Sequence, residues 1–193
     1  MSAIEGLVQG CIATRADYID ITPNPRKLEV LQSMRTRIEA SSSRFVLDAG
    51  ADPGLPGWLA RWLCPASPGT VTDIKMYGRY RSADIGWGGV ADILTAAESQ
   101  GWKYNGGWTQ SRVWDVRYRR FEGGLGSSIC VPVFLDELQA LPQELSLERF
   151  SFYHAGLNPV TDALMIFERT VMLGCFSFKS RQRTFYSTVQ RLT

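Results

Sequence analysis

The sequence predicts an α/β domain built on a mostly parallel sheet flanked by helices, with an antiparallel, Trp- and Arg-rich insertion in its middle. Three observations predict it. A short apolar strand, residues 45–47, runs into a glycine- and proline-rich turn, residues 48–54, and then into a helix at about residues 57–63. A second strand, residues 70–74, follows; strand, helix and strand in that order imply a parallel pair with a right-handed crossover, as in Rossmann-like folds. The alternation then recurs as a strand at 150–154, a helix at 160–170, a strand at 172–179 and a closing element at 184–192.

The remaining elements follow from punctuation and spacing. After Pro23 and Pro25, residues 26–40 place Leu28, Leu31, Met34 and Ile38 at near-helical spacing, an amphipathic helix with proline where a missing N–H costs little. In the middle, a helix at 90–99 lies between two Gly-Gly pairs, and strands at 111–121 and 127–134 are joined by the turn at 122–126. With 193 residues and 45% hydrophobic content the chain can bury one sizeable core, so it reads as one domain. No apolar stretch approaches the ~20 residues of a membrane span, and the first residues lack signal-peptide order, so the expectation is a soluble, cytoplasmic protein, in the host cytoplasm if viral. The four cysteines, Cys11, Cys64, Cys130 and Cys175, form no CxxC pair and are expected to be reduced and mostly buried. His154 is the only histidine, which excludes a multi-histidine metal centre, and no metal is expected.

A turn leaving a strand and entering a helix brings backbone N–H groups to the carboxyl edge of a sheet, where nucleotide-like ligands sit. The segment from Val46 to Gly54 reads hydrophobic-hydrophobic-Asp-x-Gly-Ala-x-Pro-Gly, with Trp58 shortly after. It resembles motif I of the FtsJ-like RNA 2′-O-methyltransferases. That resemblance implies S-adenosylmethionine as cofactor, held by Asp48, Gly50, Ala51, Pro53, Gly54 and Trp58. Asp73, ending the next strand, would hold its ribose or adenine, and Asp92 would lie near the adenine amino group. The family's catalytic tetrad is Lys-Asp-Lys-Glu, and the resemblance places its two lysines at Lys27, on the helix ahead of the turn, and at Lys179, ending the segment Cys175-Phe176-Ser177-Phe178-Lys179. Such a tetrad favours a deprotonated ribose hydroxyl, and a lysine with a depressed pKa serves as base. Where the family has its aspartate this chain reads His154-Ala155-Gly156-Leu157-Asn158-Pro159, so His154 or Asn158 is the substitute at hand. The chain ends at residue 193, short of the family's final glutamate, and a partner protein or a homo-oligomer is expected to complete that end.

The net charge of +2 is too small to make the whole surface a polyanion trap, so RNA binding would come from local arginine clusters. Strand alternation puts Trp114, Val116 and Tyr118 on a core face and Asp115, Arg117 and Arg119 on the other. With Arg79, Arg81, Arg112 and Arg120, that second face would follow a phosphate backbone, while Trp87, Trp102 or Trp108 stack unpaired bases. Most of the six tryptophans are expected to fill the core. Three readings result: an S-adenosylmethionine-dependent RNA ribose methyltransferase; an inactive relative acting as an RNA-binding, assembly or viral accessory subunit; and an unrelated α/β accessory protein, viral or phage-encoded, in which the motif is coincidence.

Overall fold

The computed structural model describes residues 3–22, 25–64, 71–80, 101–112, 114–156, 162, 163 and 166. The chain, read from its length as one domain, groups into two compact units. The first comprises residues 1–64 and takes back the segment Leu135–Leu141; the second comprises the rest. Among the described residues no helix is long and apolar enough to cross a membrane.

The first unit contains helix α1 (Ala3–Thr14), strand β1 (Tyr18–Ile19), helices α2 (Pro25–Ser33) and α3 (Arg35–Glu39), strand β2 (Phe45–Val46) and helix α4 (Leu55–Leu63). The strands pair in parallel, Tyr18 opposite Phe45 and Ile19 opposite Val46, with α2 and α3 as their connection. The amphipathic helix expected at 26–40 is thus present but interrupted at Met34, between α2 and α3. Its apolar stripe does its expected work: Leu31 and Met34 are buried with Val8 of α1, and Ile38, Phe45 and Leu47 pack around them. Leu28, assigned to the same stripe, is exposed.

The second unit is a six-stranded, mostly antiparallel sheet: β3 (Asp73–Gly78), β4 (Trp102–Asn105), β5 (Trp108–Gln110), β6 (Arg117–Phe121), β7 (Gly126–Val133) and β8 (Arg149–Ala155). β8 is its spine. One edge of β8 pairs in parallel with β3, Asp73 opposite Arg149 through Gly78 opposite His154. The other edge is shared, antiparallel, by β4 along residues 149–151 and by β7 along residues 152–155. The two strands meet end to end at Gly101, where an added Cβ would lie 2.1 Å from the Pro132 carbonyl oxygen; only glycine lets the chains pass so closely. Antiparallel β4–β5 and β6–β7 hairpins extend the sheet outwards.

This architecture overturns the expected Rossmann-like, mostly parallel sheet. The strands at 45–46 and 73–78 belong to different units and do not pair: β2 takes β1 as partner and β3 takes β8. The region read as an antiparallel insertion is instead the principal sheet, because its glycine turns fold the chain back on itself. Gly123, Gly124 and Gly126 all have positive φ (65°, 76° and 72°) and close the β6–β7 turn. The helix expected at 90–99, the strand expected at 172–179 and the closing element expected at 184–192 lie outside the described residues.

Candidate functional site

Lys27 is the centre of the best-formed polar cluster in the first unit. Although its side chain is only 6% exposed, its ammonium donates to the Thr22 carbonyl at 2.7 Å, Asp48 Oδ1 at 2.8 Å and Asp20 Oδ2 at 3.0 Å. An ammonium has three N–H donors, and all three are used. Asp20 sits just after β1, held by the bond from its N–H to the Val46 carbonyl at 3.0 Å, and its other carboxylate oxygen accepts the Thr22 backbone N–H at 2.8 Å and the Thr22 hydroxyl. Burial pulls the Lys27 pKa down, but the bonds from Asp48 and Asp20 outweigh it and raise it above its ordinary value. For Asp20, burial pushes upward and the bonds from Thr22 and Lys27 win, holding the carboxyl below its ordinary range. The expected base with a depressed pKa is therefore corrected: Lys27 is held as a cation, each of its three N–H groups donating to a different acceptor.

The turn that follows closes upon itself. Asp48 adopts φ 53°, and the Ala49 N–H donates to the Asp20 carbonyl at 2.9 Å. The Gly50 N–H donates to the Pro53 carbonyl and the Leu55 N–H to the Gly50 carbonyl, each at 3.0 Å. Gly54, at φ 129°, has no room for a side chain, since a Cβ would lie 2.2 Å from the Asp48 carbonyl oxygen and 2.5 Å from that of Gly50. The N–H groups of Ala49 and Gly50, expected to face a nucleotide, are thus engaged by carbonyls of the chain itself. At the start of α4, Glu137 accepts from the backbone N–H groups of Gly54 and Gly57, so an acidic side chain of the same chain occupies the place where a ligand anion would meet the helix. Burial, opposed by those bonds, raises the Glu137 pKa; burial and the charge of Asp48 raise that of Asp136. Ala51 and Pro53 complete the turn, and Trp58 is exposed, its ring stacked on Trp62 with centroids 5.8 Å apart.

The other expected cofactor and catalytic residues fall elsewhere. Asp73 begins β3 instead of ending a strand, because the strand runs three residues later than its composition suggested, and it pairs with Lys75 and Arg149 at 3.0 Å each. His154 lies on β8 in the second unit, opposite Gly78 and Val131, with the Tyr80 ring 5.1 Å away. Burial, opposed by a hydrogen bond at the Ala155 backbone, pushes its pKa down to about 4, so its imidazole is neutral at pH 7. Asp92, Lys179 and Asn158 lie outside the described residues, as does Cys175. Cys11 and Cys64 are half-buried, Cys130 is buried, and all three are free. Among the described residues no group of His, Cys, Asp and Glu is arranged to hold a metal ion.

The arginines divide. Arg79, expected at an RNA surface, is buried, with its guanidinium 3.8 Å from Asp162 and 5.7 Å from the centre of the Phe121 ring; Asp162 in turn accepts from the Ser128 hydroxyl. It belongs to the interior. Arg117, Arg119 and Arg120 are all exposed on β6, the outermost strand on that side among the described residues. Arg119 lies 4.4 Å over the Tyr77 ring and donates to its hydroxyl at 3.2 Å. Arg112 is exposed with its guanidinium 5.7 Å over Trp114. Arg81 and Trp87 lie outside the described residues.

The expected core face of this strand is also corrected: Trp114 is 70% and Tyr118 71% exposed. The strand begins at Arg117, after a turn in which the Asp115 N–H donates to the Arg112 carbonyl at 3.0 Å, so alternation counted from Trp114 has no basis. Nor do most tryptophans fill the core, since Trp58, Trp62, Trp102 and Trp114 are exposed. Trp108 does pack inward, edge-on to Phe134 and Phe150. Asp20, Thr22 and Glu137 were not anticipated; an Asp-x-Thr sequence just after a strand is the signal that could have found the first two. The chain matches no protein-family model and no curated protein, so its likeness to FtsJ-like methyltransferases rests on the quoted residues alone.

Proposed function

We propose that the protein is an RNA-binding subunit that contacts single-stranded RNA through the arginine edge of its second unit and carries out no methyl transfer at Lys27. The observation that carries this reading is the run Arg117-Tyr118-Arg119-Arg120, four consecutive exposed side chains on an outer strand, with exposed Trp114 beside Arg112. Guanidinium groups contact phosphates without reading sequence, and exposed indole and phenol rings stack on unpaired bases. The Lys27 cluster points the other way. Asp20 and Asp48 pair with its ammonium and Asp136 adds a further carboxylate within electrostatic reach, and that excess of acid repels a phosphate backbone.

Fluorescence anisotropy with a short, unstructured, labelled RNA tests the proposal. Arg117→Glu with Arg120→Glu is expected to weaken binding at least ~10-fold, with stability changed by no more than about 0.5 kcal/mol because both side chains are exposed. Unchanged affinity in the double variant would overturn it.

A second reading keeps S-adenosylmethionine at residues 48–54, favoured by the same excess of carboxylates, which suits a ligand carrying a sulfonium and an ammonium. Isothermal titration with S-adenosylmethionine and S-adenosylhomocysteine separates the two. Saturable binding abolished by Asp48→Asn would favour the cofactor; the expected result is no binding at millimolar ligand.

A further inference from the structure

In the first unit, the last turns of α1 and α3 border an open cavity of about 600 Å³. Its lining is Ile12, Arg15, Arg37, Ala40, Ser41 and Ser42: two guanidinium groups, two hydroxyls and no carboxylate. The acids nearby in the chain are already taken, since Glu39 pairs with Arg35 and Asp17 with Arg44, at 2.6 Å each. The guanidinium groups of Arg15 and Arg37 make no ion pair or hydrogen bond among the described residues. Two uncompensated positive charges therefore face one concavity.

Cations at the C-terminal ends of helices ordinarily answer the carbonyls there. These carbonyls are served by other groups. In α1 the Gly10 carbonyl accepts the Thr14 hydroxyl at 2.8 Å, and the Cys11 carbonyl accepts the Ala16 N–H at 3.0 Å and the Ser43 hydroxyl at 3.2 Å. At the end of α3 the Thr36 carbonyl accepts the Ala40 N–H at 3.1 Å, and the Ile38 carbonyl accepts the Ser41 N–H at 3.0 Å and its hydroxyl at 2.7 Å. Arg15 itself adopts φ 58°, the left-handed position after a helix that glycine fills without strain. Its side chain does none of the capping, so the fold alone does not account for an arginine at that position.

We infer that this cavity binds a small phosphate ester, its phosphate held between Arg15 and Arg37. Guanidinium forks match phosphate oxygens two at a time, and the exposed Ser42 hydroxyl adds a further donor. Ile12 and Ala40 give an apolar wall for the rest of the molecule, and the volume lies within the ~300–1,000 Å³ of small-molecule sites. The cavity is separate in the chain from the arginine edge of the second unit, and the inference does not rest on RNA binding.

Isothermal titration of the full chain with inorganic phosphate, AMP and adenosine, at ~20 mM salt to limit screening, tests the inference. The expected result is saturable binding of phosphate and AMP with Kd of ~1 mM or tighter, none of adenosine, and a loss of ~10-fold or more in each of Arg15→Gly and Arg37→Gln. Because both side chains are exposed and glycine suits φ 58°, the thermal midpoint of Arg15→Gly should equal or exceed that of the wild type. Arg117→Glu with Arg120→Glu should leave phosphate binding as it was. No saturable binding, or binding unchanged in both cavity variants, would overturn the inference. So would equal affinity for AMP and adenosine, or a lowered midpoint in both cavity variants, which would assign the arginines to the fold. Labelled single-stranded RNA that binds and is lost in Arg37→Gln, with no binding of phosphate or AMP, would overturn it in favour of a second RNA contact.

Discussion

Lys27→Met is expected to destabilise the first unit by about 3–5 kcal/mol, the usual effect of leaving a buried charge without its partner. Asp20 is the charge in question: its side chain is 6% exposed, and Lys27 is the cation paired with it. Because a domain's whole stability is ~5–15 kcal/mol, the variant should be close to unfolding in this unit. Adding Asp20→Asn should recover much of the loss, since removing both members of a buried ion pair is often close to neutral. Urea unfolding followed by circular dichroism gives the comparison. A midpoint unmoved by Lys27→Met would show that the cluster is not structural. The same geometry fixes the sign of its pH dependence. The Asp20 contribution is present above the ordinary carboxyl value of 3.8 and is lost as pH falls through its lowered folded pKa. The Lys27 contribution is present below 10.5 and is lost as pH rises through its raised one. Between those limits the Asp20–Lys27 pair contributes no pH dependence.

His154 is expected to make the second unit acid-labile well above the carboxyl range. Its folded pKa of about 4 lies below the ordinary 6.5, so the unfolded chain takes up a proton first, and stability falls as pH drops from 6.5 towards 4. A shift of that size corresponds to on the order of 3 kcal/mol lost across the window. His154→Gln cannot titrate, so its unfolding free energy should change by that much less between pH 7 and pH 4.5 than the wild type's. Equal pH slopes in the two proteins would mean that the imidazole is not held neutral by its surroundings. At neutral pH the imidazole carries no charge, and it sits opposite Gly78 and Val131 within the sheet.

What could be read in the sequence was local. The turn at 48–54 and the helix after it announce themselves by glycine and proline, and β7 and β8 by their apolar runs, so these elements fall within a few residues of their expected places. Pairing could not be read. The partner of β2 is Tyr18–Ile19, two residues too short to show any periodicity, and a run of alternating residues does not say whether its neighbour is parallel or antiparallel. Asp73 shows how a small error in boundary moves a residue from one end of a strand to the other, and with it from a ligand edge to an ion pair with Arg149. Glu137 was beyond reach because it returns to the N-terminus of α4 from about eighty positions along the chain, and no local pattern marks such a contact. The Lys27 helix was read correctly as amphipathic, yet the partners that decide the lysine's chemistry, Asp20 and Asp48, come from the ends of two strands that were never paired on sequence grounds.

The central claim, that the arginine edge binds RNA backbone, is tested most directly by titrating the wild-type protein against single-stranded RNA over a range of salt from ~50 to ~200 mM. If Arg112, Arg117 and Arg120 each neutralise one phosphate, log affinity should fall against log salt with a slope of about −2, at ~0.7 per contact for a single strand, and Arg117→Glu with Arg120→Glu should flatten it. Binding absent at the lowest salt, or a slope near zero, would contradict the claim.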